Sequence, residues 1–193
     1  MNAPYPGIEK LRSKTVVMSN KDEFRVYYIC EYFPKRFAQS ALPDSKAIIS
    51  VKNGEMGGAT YFAPKLKAAL GAQAATANFV VMPGHAPAVE GSGVGLRLLV
   101  RVLGCGVDLS SCLARVTEVP KSSAAGPGGR PDARKHVETM ACTNPQLIKG
   151  RDVVLLDDVV TQGETMRAGR YHLLKAGAAS VTCLAVGKTT WSS

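Results

Sequence analysis

Residues 153–165, Val-Val-Leu-Leu-Asp-Asp-Val-Val-Thr-Gln-Gly-Glu-Thr, constrain the fold of this chain more than any other stretch. An apolar run of strand type meets two adjacent carboxylates, and a short loop of hydroxyls and a glycine leads into a helix-forming segment. Such a run is the pattern of a strand buried on both faces, as in parallel sheets covered by helices. The expected strand ends at Asp157 and Asp158. The loop through Thr161, Gln162, Gly163, Glu164 and Thr165 then sits at a helix start. There, unpaired N–H groups and the helix dipole favour an anion, and glycine lets backbone approach a ligand. The arrangement suits a sugar phosphate: the carboxylates accept hydrogen bonds from vicinal ribose hydroxyls while the loop wraps the phosphate.

The segment resembles the signature by which type I phosphoribosyltransferases bind 5-phosphoribosyl 1-diphosphate (PRPP). That signature is an apolar run, two acidic residues, two apolar residues, then Thr-Thr-Gly-x-Thr. Gln162 is the one departure, standing where the family commonly has a second Thr. The alternative is an ordinary parallel strand capped by acidic residues.

Size and composition fit a single globular unit. The chain has 193 residues, 46% of them hydrophobic and 20% charged, enough to bury a substantial core. No apolar stretch approaches the roughly eighteen residues that a membrane span requires. Residues 1–14 mix Pro, Gly, Glu, Lys and Arg without the apolar core of a secretory signal, so a cytoplasmic protein is expected. Cys30, Cys105, Cys112, Cys142 and Cys183 form no Cys-x-x-Cys pair, and His85, His136 and His172 are far apart in sequence. Reduced thiols are expected, with neither a disulfide framework nor a structural metal. The formal net charge of +9 fits a polyphosphate ligand or a nucleic acid. Basic residues are dispersed and few aromatics lie among them, which favours the small polyanion and leaves nucleic acid as the alternative.

The strand and helix pattern is clearest in the second half. Residues 24–33 read as a strand or strand pair, 39–46 as a loop and 47–51 as a short apolar run. Residues 59–70 have helical spacing, with Pro64 best placed near the first turn. From residue 78 strands and helices alternate: strand 79–82 ending at Pro83-Gly84-His85, helix 93–103, strand 113–116, a Gly/Pro/Ser-rich loop over 120–133 and a helix start in 134–141. Strand 153–156, helix 164–176 and strand 180–186 complete the series. The fold class is therefore α/β, a mostly parallel twisted sheet flanked by helices. Its division is an N-terminal hood or accessory region over 1–77 and a core over 78–193.

The resemblance assigns chemistry to several positions. Displacement of diphosphate from ribose C1 passes through a transition state of oxocarbenium character, so the site must hold the sugar, neutralise diphosphate and exclude water. Mg²⁺ is the implied cofactor, carried with the diphosphate and reached through water by Asp157 and Asp158. The loop Pro83-Gly84-His85 corresponds to the family's diphosphate loop, which often has a non-proline cis peptide; a simple turn is the alternative. Arg115 and Lys121 are the catalytic candidates for neutralising diphosphate. Arg130, Arg134 and Lys135 are further candidates on the far side of a lid over 117–135. Tyr27, Tyr28, Tyr32, Phe33 and Tyr61 are candidates for stacking on a base, or else core residues. A homodimer is common in the family.

Within the family, the chain resembles the ComF-like branch, associated with DNA uptake. Val51-Lys52-Asn53-Gly54, Leu113-Ala114-Arg115, the 134–140 region and the basic end of 181–188 carry that resemblance. It departs from ComF-type proteins in lacking their cysteine-paired zinc ribbon and in its Gly/Pro-rich 119–131 stretch. The implied roles are transfer to an unidentified acceptor, PRPP or nucleotide sensing without transfer, or a basic accessory subunit of a DNA- or RNA-handling system. Fold alone does not choose among them.

Overall fold

A computed structural model describes residues 4–17, 23–34, 37–87, 93–118 and 133–191. In chain order the main elements are β1 (Arg12–Val17), β2 (Glu23–Tyr32), α1 (Pro43–Lys52), α2 (Met56–Leu70), β3 (Asn78–Val81), α3 (Val94–Leu103), β4 (Val107–Asp108) and β5 (Leu113–Arg115). They continue with α4 (Ala133–Glu138), β6 (Met140–Cys142), β7 (Asp152–Val160), α5 (Glu164–Lys175) and β8 (Ser180–Thr189). The main sheet runs β1-β2-β8-β7-β3-β4. All neighbours are parallel except the β1–β2 pair, so the mostly parallel sheet expected from the alternation is present.

Helices cover both faces because the central strands are apolar on both. On β7, Val154 and Leu156 face a core with Ile48, Val51, Phe62, Leu66 and Leu99 of α1, α2 and α3. Val153 and Leu155 face the other core, with Met166 and Leu173 of α5 and Leu113 and Met140 of β5 and β6. The period-two alternation of a strand thus divides one hydrophobic run between two layers. Burial of these side chains, at about 25 cal/mol per Å² of apolar surface, is the main stabilising contribution. The helical layer is unusually close where α3 meets α1: a Cβ on Gly95 would fall 1.6 Å from the Val51 carbonyl oxygen. No larger residue fits that contact without moving a helix.

Several elements differ from the sequence expectation. Strand β7 does not stop at the acidic pair but runs through it to Val160. The expected loop at 39–46 is a short 3-10 turn followed by α1, which starts at Pro43, where a fixed φ and a missing N–H suit a first helical position. Helix α2 begins at Met56, before the expected start, and its Gly58 N–H donates to the Ser50 hydroxyl at 2.9 Å. Pro64 therefore lies inside α2 rather than near its first turn. It is exposed, while Phe62, Ala63 and Leu66 beside it are buried and hold the helix against the core. Strand β5 is outside the main sheet and pairs antiparallel with β6, a strand that follows the short helix expected at 134–141. The N-terminal region supplies two strands to the main sheet, and its β2 lies directly beside β8.

Candidate functional site

The carboxyl ends of β3, β7 and β8 lie side by side, the usual position for a ligand in an open α/β sheet. Asp157 and Asp158 stand at this edge on β7 and serve different layers. Asp157 follows Val153 and Leu155 toward the α5 side, where its charge acts on Arg115 and Cys183. Asp158 turns to the opposite side and meets Lys52 of α1, with Nζ 3.1 Å from its Oδ1. Beyond the pair the alternation slips, since Val159 packs on the α1–α3 side and Val160 on the α5 side.

The pair is electrostatically strained. Burial, then the charge of Asp158, pushes the Asp157 carboxyl up to about 7. The Asp158 N–H, which donates to Asp157 Oδ1 at 2.8 Å, opposes this, as do Lys52 and Arg115. Burial also works against the Lys52 ammonium, but Asp158, with Asp157 and Tyr32, more than offsets it and leaves that group above its ordinary value.

After β7 the loop is fixed from several directions. Thr161 shares a hydroxyl hydrogen bond of 2.8 Å with Thr189 of β8, and its carbonyl accepts from Lys14 Nζ of β1. Gln162 is exposed. Gly163 precedes α5 with φ of +94°, and a Cβ there would lie 2.5 Å from Val16 Cγ2. Both the backbone conformation and the close approach of β1 require glycine. Glu164 pairs with Arg167 at 3.0 Å, one turn along α5. Thr165 Oγ1 lies 3.4 Å from Nε2 of the buried His136. Burial and then the charge of Lys188 lower Lys14, with Glu164 opposing, so two ammonium groups flank this loop.

The second loop follows β3. Met82 extends the ladder, donating its N–H to the Leu156 carbonyl at 2.8 Å, and Pro83, Gly84 and His85 come next, half-buried. No peptide bond among the described residues is cis. Arg115 reaches this loop from β5. It is 3% exposed, and donates from Nε to the Gly84 carbonyl at 3.0 Å and from Nη1 to Thr139 Oγ1 at 2.7 Å. Burial pushes its guanidinium down to about 10, with Asp157 opposing, so it remains charged at neutral pH.

The candidate residues Pro83, Gly84, His85, Arg115, Asp157, Asp158 and Thr161 to Thr165 therefore lie on converging elements. Lys121 and Arg130 lie outside the described residues, as does 119–132 of the expected lid. Arg134 is paired with Glu138 at 2.9 Å on the exposed face of α4. Of the candidate aromatics, Tyr27 and Tyr28 are core residues, Tyr32 lies beneath the Lys52 ammonium, and Tyr61 donates to Asp44 at 2.8 Å. Sequence reasoning missed Lys14, Thr139 and His136 as neighbours of the loops, and Lys52 as the partner of Asp158. All four come from segments distant in sequence; Val51-Lys52-Asn53-Gly54 and the 134–140 region carried a family resemblance, but nothing in either pointed to these contacts, and Lys14 carried no signal.

A magnesium ion finds a limited but suitable donor set here. Two carboxylates at one strand end supply hard oxygens, and among the described residues no group of three or more His, Cys, Asp or Glu could hold a metal. Paired carboxylate oxygens are the donor type that a hard cation such as Mg²⁺ prefers. Among the described residues, no helix is long and apolar enough to cross a membrane.

Residues 97–188 match the family model of the phosphoribosyl transferase domain. The matched span runs from α3 to β8 and contains Arg115, the carboxylate pair and the loop to Thr165. The match covers just under half of the chain, and the likeness it shows is of that span to phosphoribosyl transferase domains. Searches of curated proteins and of solved structures gave no significant match.

Proposed function

We propose that this chain binds PRPP with Mg²⁺ and catalyses displacement of its diphosphate by an acceptor nucleophile. The bond from ribose C1 to the diphosphate oxygen breaks, diphosphate leaves with the electron pair, and a bond from C1 to the acceptor forms as the acceptor loses a proton. The observation that carries the reading is the acidic pair Asp157-Asp158 at the strand edge, followed by the Gly163 turn into α5 and flanked by the Gly84 loop. The carboxylates accept from the ribose hydroxyls. The N–H groups at the start of α5, with Thr161 and Thr165, take the 5′-phosphate. The Gly84 loop, with His85, takes the diphosphate, and bound magnesium supplies counter-charge to that leaving group.

Arg115, which donates to the Gly84 carbonyl, supports the charge balance of that loop, and Lys121 is the second basic residue assigned to neutralising diphosphate. The Leu113-Ala114-Arg115 strand and the basic end of β8 favour a ComF-like branch, working in the cytoplasm. The test is calorimetric titration with PRPP and Mg²⁺, then diphosphate release over a panel of bases and amines. Binding with release supports the transferase. Binding without release replaces it with a sensor, and no PRPP binding removes the ribose-phosphate reading. If the chain instead binds nucleic acid at low salt and loses it steeply as salt rises, the accessory-subunit reading takes its place.

The paired substitution Asp157→Asn and Asp158→Asn should abolish PRPP binding in a chain with unchanged circular dichroism. Unaltered affinity in that variant would remove the ribose assignment.

A further inference from the structure

The two ligand loops are joined by side chains that lie outside the acidic-pair signature. From the Gly84 carbonyl the connection passes to Arg115 Nε at 3.0 Å, then from Arg115 Nη1 to Thr139 Oγ1 at 2.7 Å. The Thr139 hydroxyl donates to the Lys135 carbonyl at 2.6 Å and lies 3.3 Å from the His136 carbonyl, on the last turn of α4. His136 carries the connection to Thr165 Oγ1 at 3.4 Å, in the first turn of α5. A further bond, His172 Nε2 to the Val137 carbonyl at 2.9 Å, fastens the same turn of α4 to α5.

The chemistry of Arg115 suggests why it is built this way. A guanidinium that only neutralised a leaving group would need access to it. This one is buried, and two of its donors are committed to a carbonyl and a hydroxyl. Burying a charge is costly unless its donors are engaged, and the planar fork of arginine fixes the direction of each bond. The Gly84 carbonyl is consequently held at a set orientation relative to α4. His136 in turn relates α4 to the first turn of α5, where Thr165 would meet a phosphate.

We propose that Arg115, Thr139 and His136 form a positioning link between the Gly84 loop and the Thr161–Thr165 loop, through which occupation of one raises the affinity of the other. The proposal rests on the ribose-phosphate reading of the site. Its chemical content is specific: the ligands that communicate are a diphosphate on one loop and a sugar 5-phosphate on the other. Coupling of this kind is reciprocal and appears as a change in one affinity when the other ligand is bound.

The test uses the full chain, with Mg²⁺-diphosphate titrated calorimetrically in the absence and presence of saturating ribose 5-phosphate. Wild type should bind diphosphate at least about fivefold more tightly when ribose 5-phosphate is present. In Thr139→Val, which keeps the branched shape without the hydroxyl, each ligand alone should bind within about threefold of wild type, while the enhancement falls to within about twofold of unity. Thr139→Ser should restore it. Arg115→Lys should also lose the enhancement, because a lone ammonium does not reproduce the guanidinium fork, and it carries the test if Thr139→Val fails to fold. Independent binding in wild type, or full enhancement in both Thr139→Val and Arg115→Lys, would overturn the link while leaving the site assignment standing. If wild type binds neither ligand, the ribose-phosphate reading itself falls and the link falls with it.

Discussion

Lys52 Nζ stands 3.1 Å from Asp158 Oδ1, tying the last turn of α1 to the carboxyl end of β7. Both side chains are partly exposed, at 37% and 29%, so the pair contributes about 1 kcal/mol or less to stability. Its larger effect is on protonation, since Lys52 also opposes the upward shift of Asp157.

Removing that ammonium should change the pH dependence of binding more than the fold. If PRPP is held by ionised carboxylates, affinity in wild type should rise as pH passes through about 7, the value to which Asp157 is pushed. Lys52→Met should move this midpoint upward, with little change in melting temperature. Calorimetric titration of PRPP across that range checks it, and an unchanged midpoint would separate Lys52 from the carboxylate pair.

The same shift has a consequence for the protein without ligand. The folded value of Asp157, about 7, lies above the ordinary value of 3.8, so between these pH values the folded chain holds a proton that the unfolded chain lacks. The associated stability is fully present below the lower value and is lost as pH rises through the upper one. Asp157→Asn keeps an acceptor for the Asp158 N–H but has no charge to desolvate. Above neutral pH it should be more stable than wild type by on the order of 1–3 kcal/mol, allowing for partial solvent screening, and the difference should close toward pH 4. Urea unfolding at acid and neutral pH reads the difference, and a parallel pH dependence in both proteins would contradict it.

Gly163 tests the packing of β1 on the loop. Gly163→Ala places a methyl against Val16 Cγ2 at a φ of +94°, and should cost roughly 1–3 kcal/mol as well as weakening PRPP binding. Val16→Ala in the same chain should recover part of the melting temperature, because it relieves the contact but not the backbone strain. No recovery would mean that β1 does not press on the loop.

Two glycines in the helical layer should behave in opposite ways. Gly95→Ala puts a Cβ 1.6 Å from the Val51 carbonyl oxygen and should destabilise the chain by about 3 kcal/mol or more, while displacing the neighbouring Lys52. At Gly57 the nearest atom to a new Cβ is Ser50 Oγ at 3.7 Å, an ordinary contact. Gly57→Ala should therefore be neutral or stabilise α2 by up to about 1 kcal/mol. Thermal melts of the two variants decide whether close helix packing or glycine content governs this layer.

Much of the architecture was legible in the sequence because its strongest signals are local. The apolar run 153–156, the carboxylates after it and the Gly163 turn lie within one short segment, and the second-half alternation implied a parallel sheet. Helix α1 was hidden because Leu42-Pro43-Asp44-Ser45 looks like a turn until Ile48 and Val51 are seen buried against the sheet. Strand β1 was hidden because only Val16 of its six residues is buried. The sheet to which β5 belongs could not be read from three residues. The partners of the acidic pair, Lys52 and Arg115, depend on which face of β7 each carboxylate takes, and that is settled only by packing.

That division of faces makes the site sensitive to parity. One residue separates a carboxylate governed by the α1 layer from one governed by the α5 side. Deleting a single residue between Val153 and Leu156 would reverse the assignment for whatever follows, bringing the wrong neighbour to each carboxylate even though both aspartates were still present. Deleting two would restore the faces but draw the pair back from the strand end. The length of this apolar run, counted in whole alternations, is therefore as much a part of the ligand site as the acids it carries.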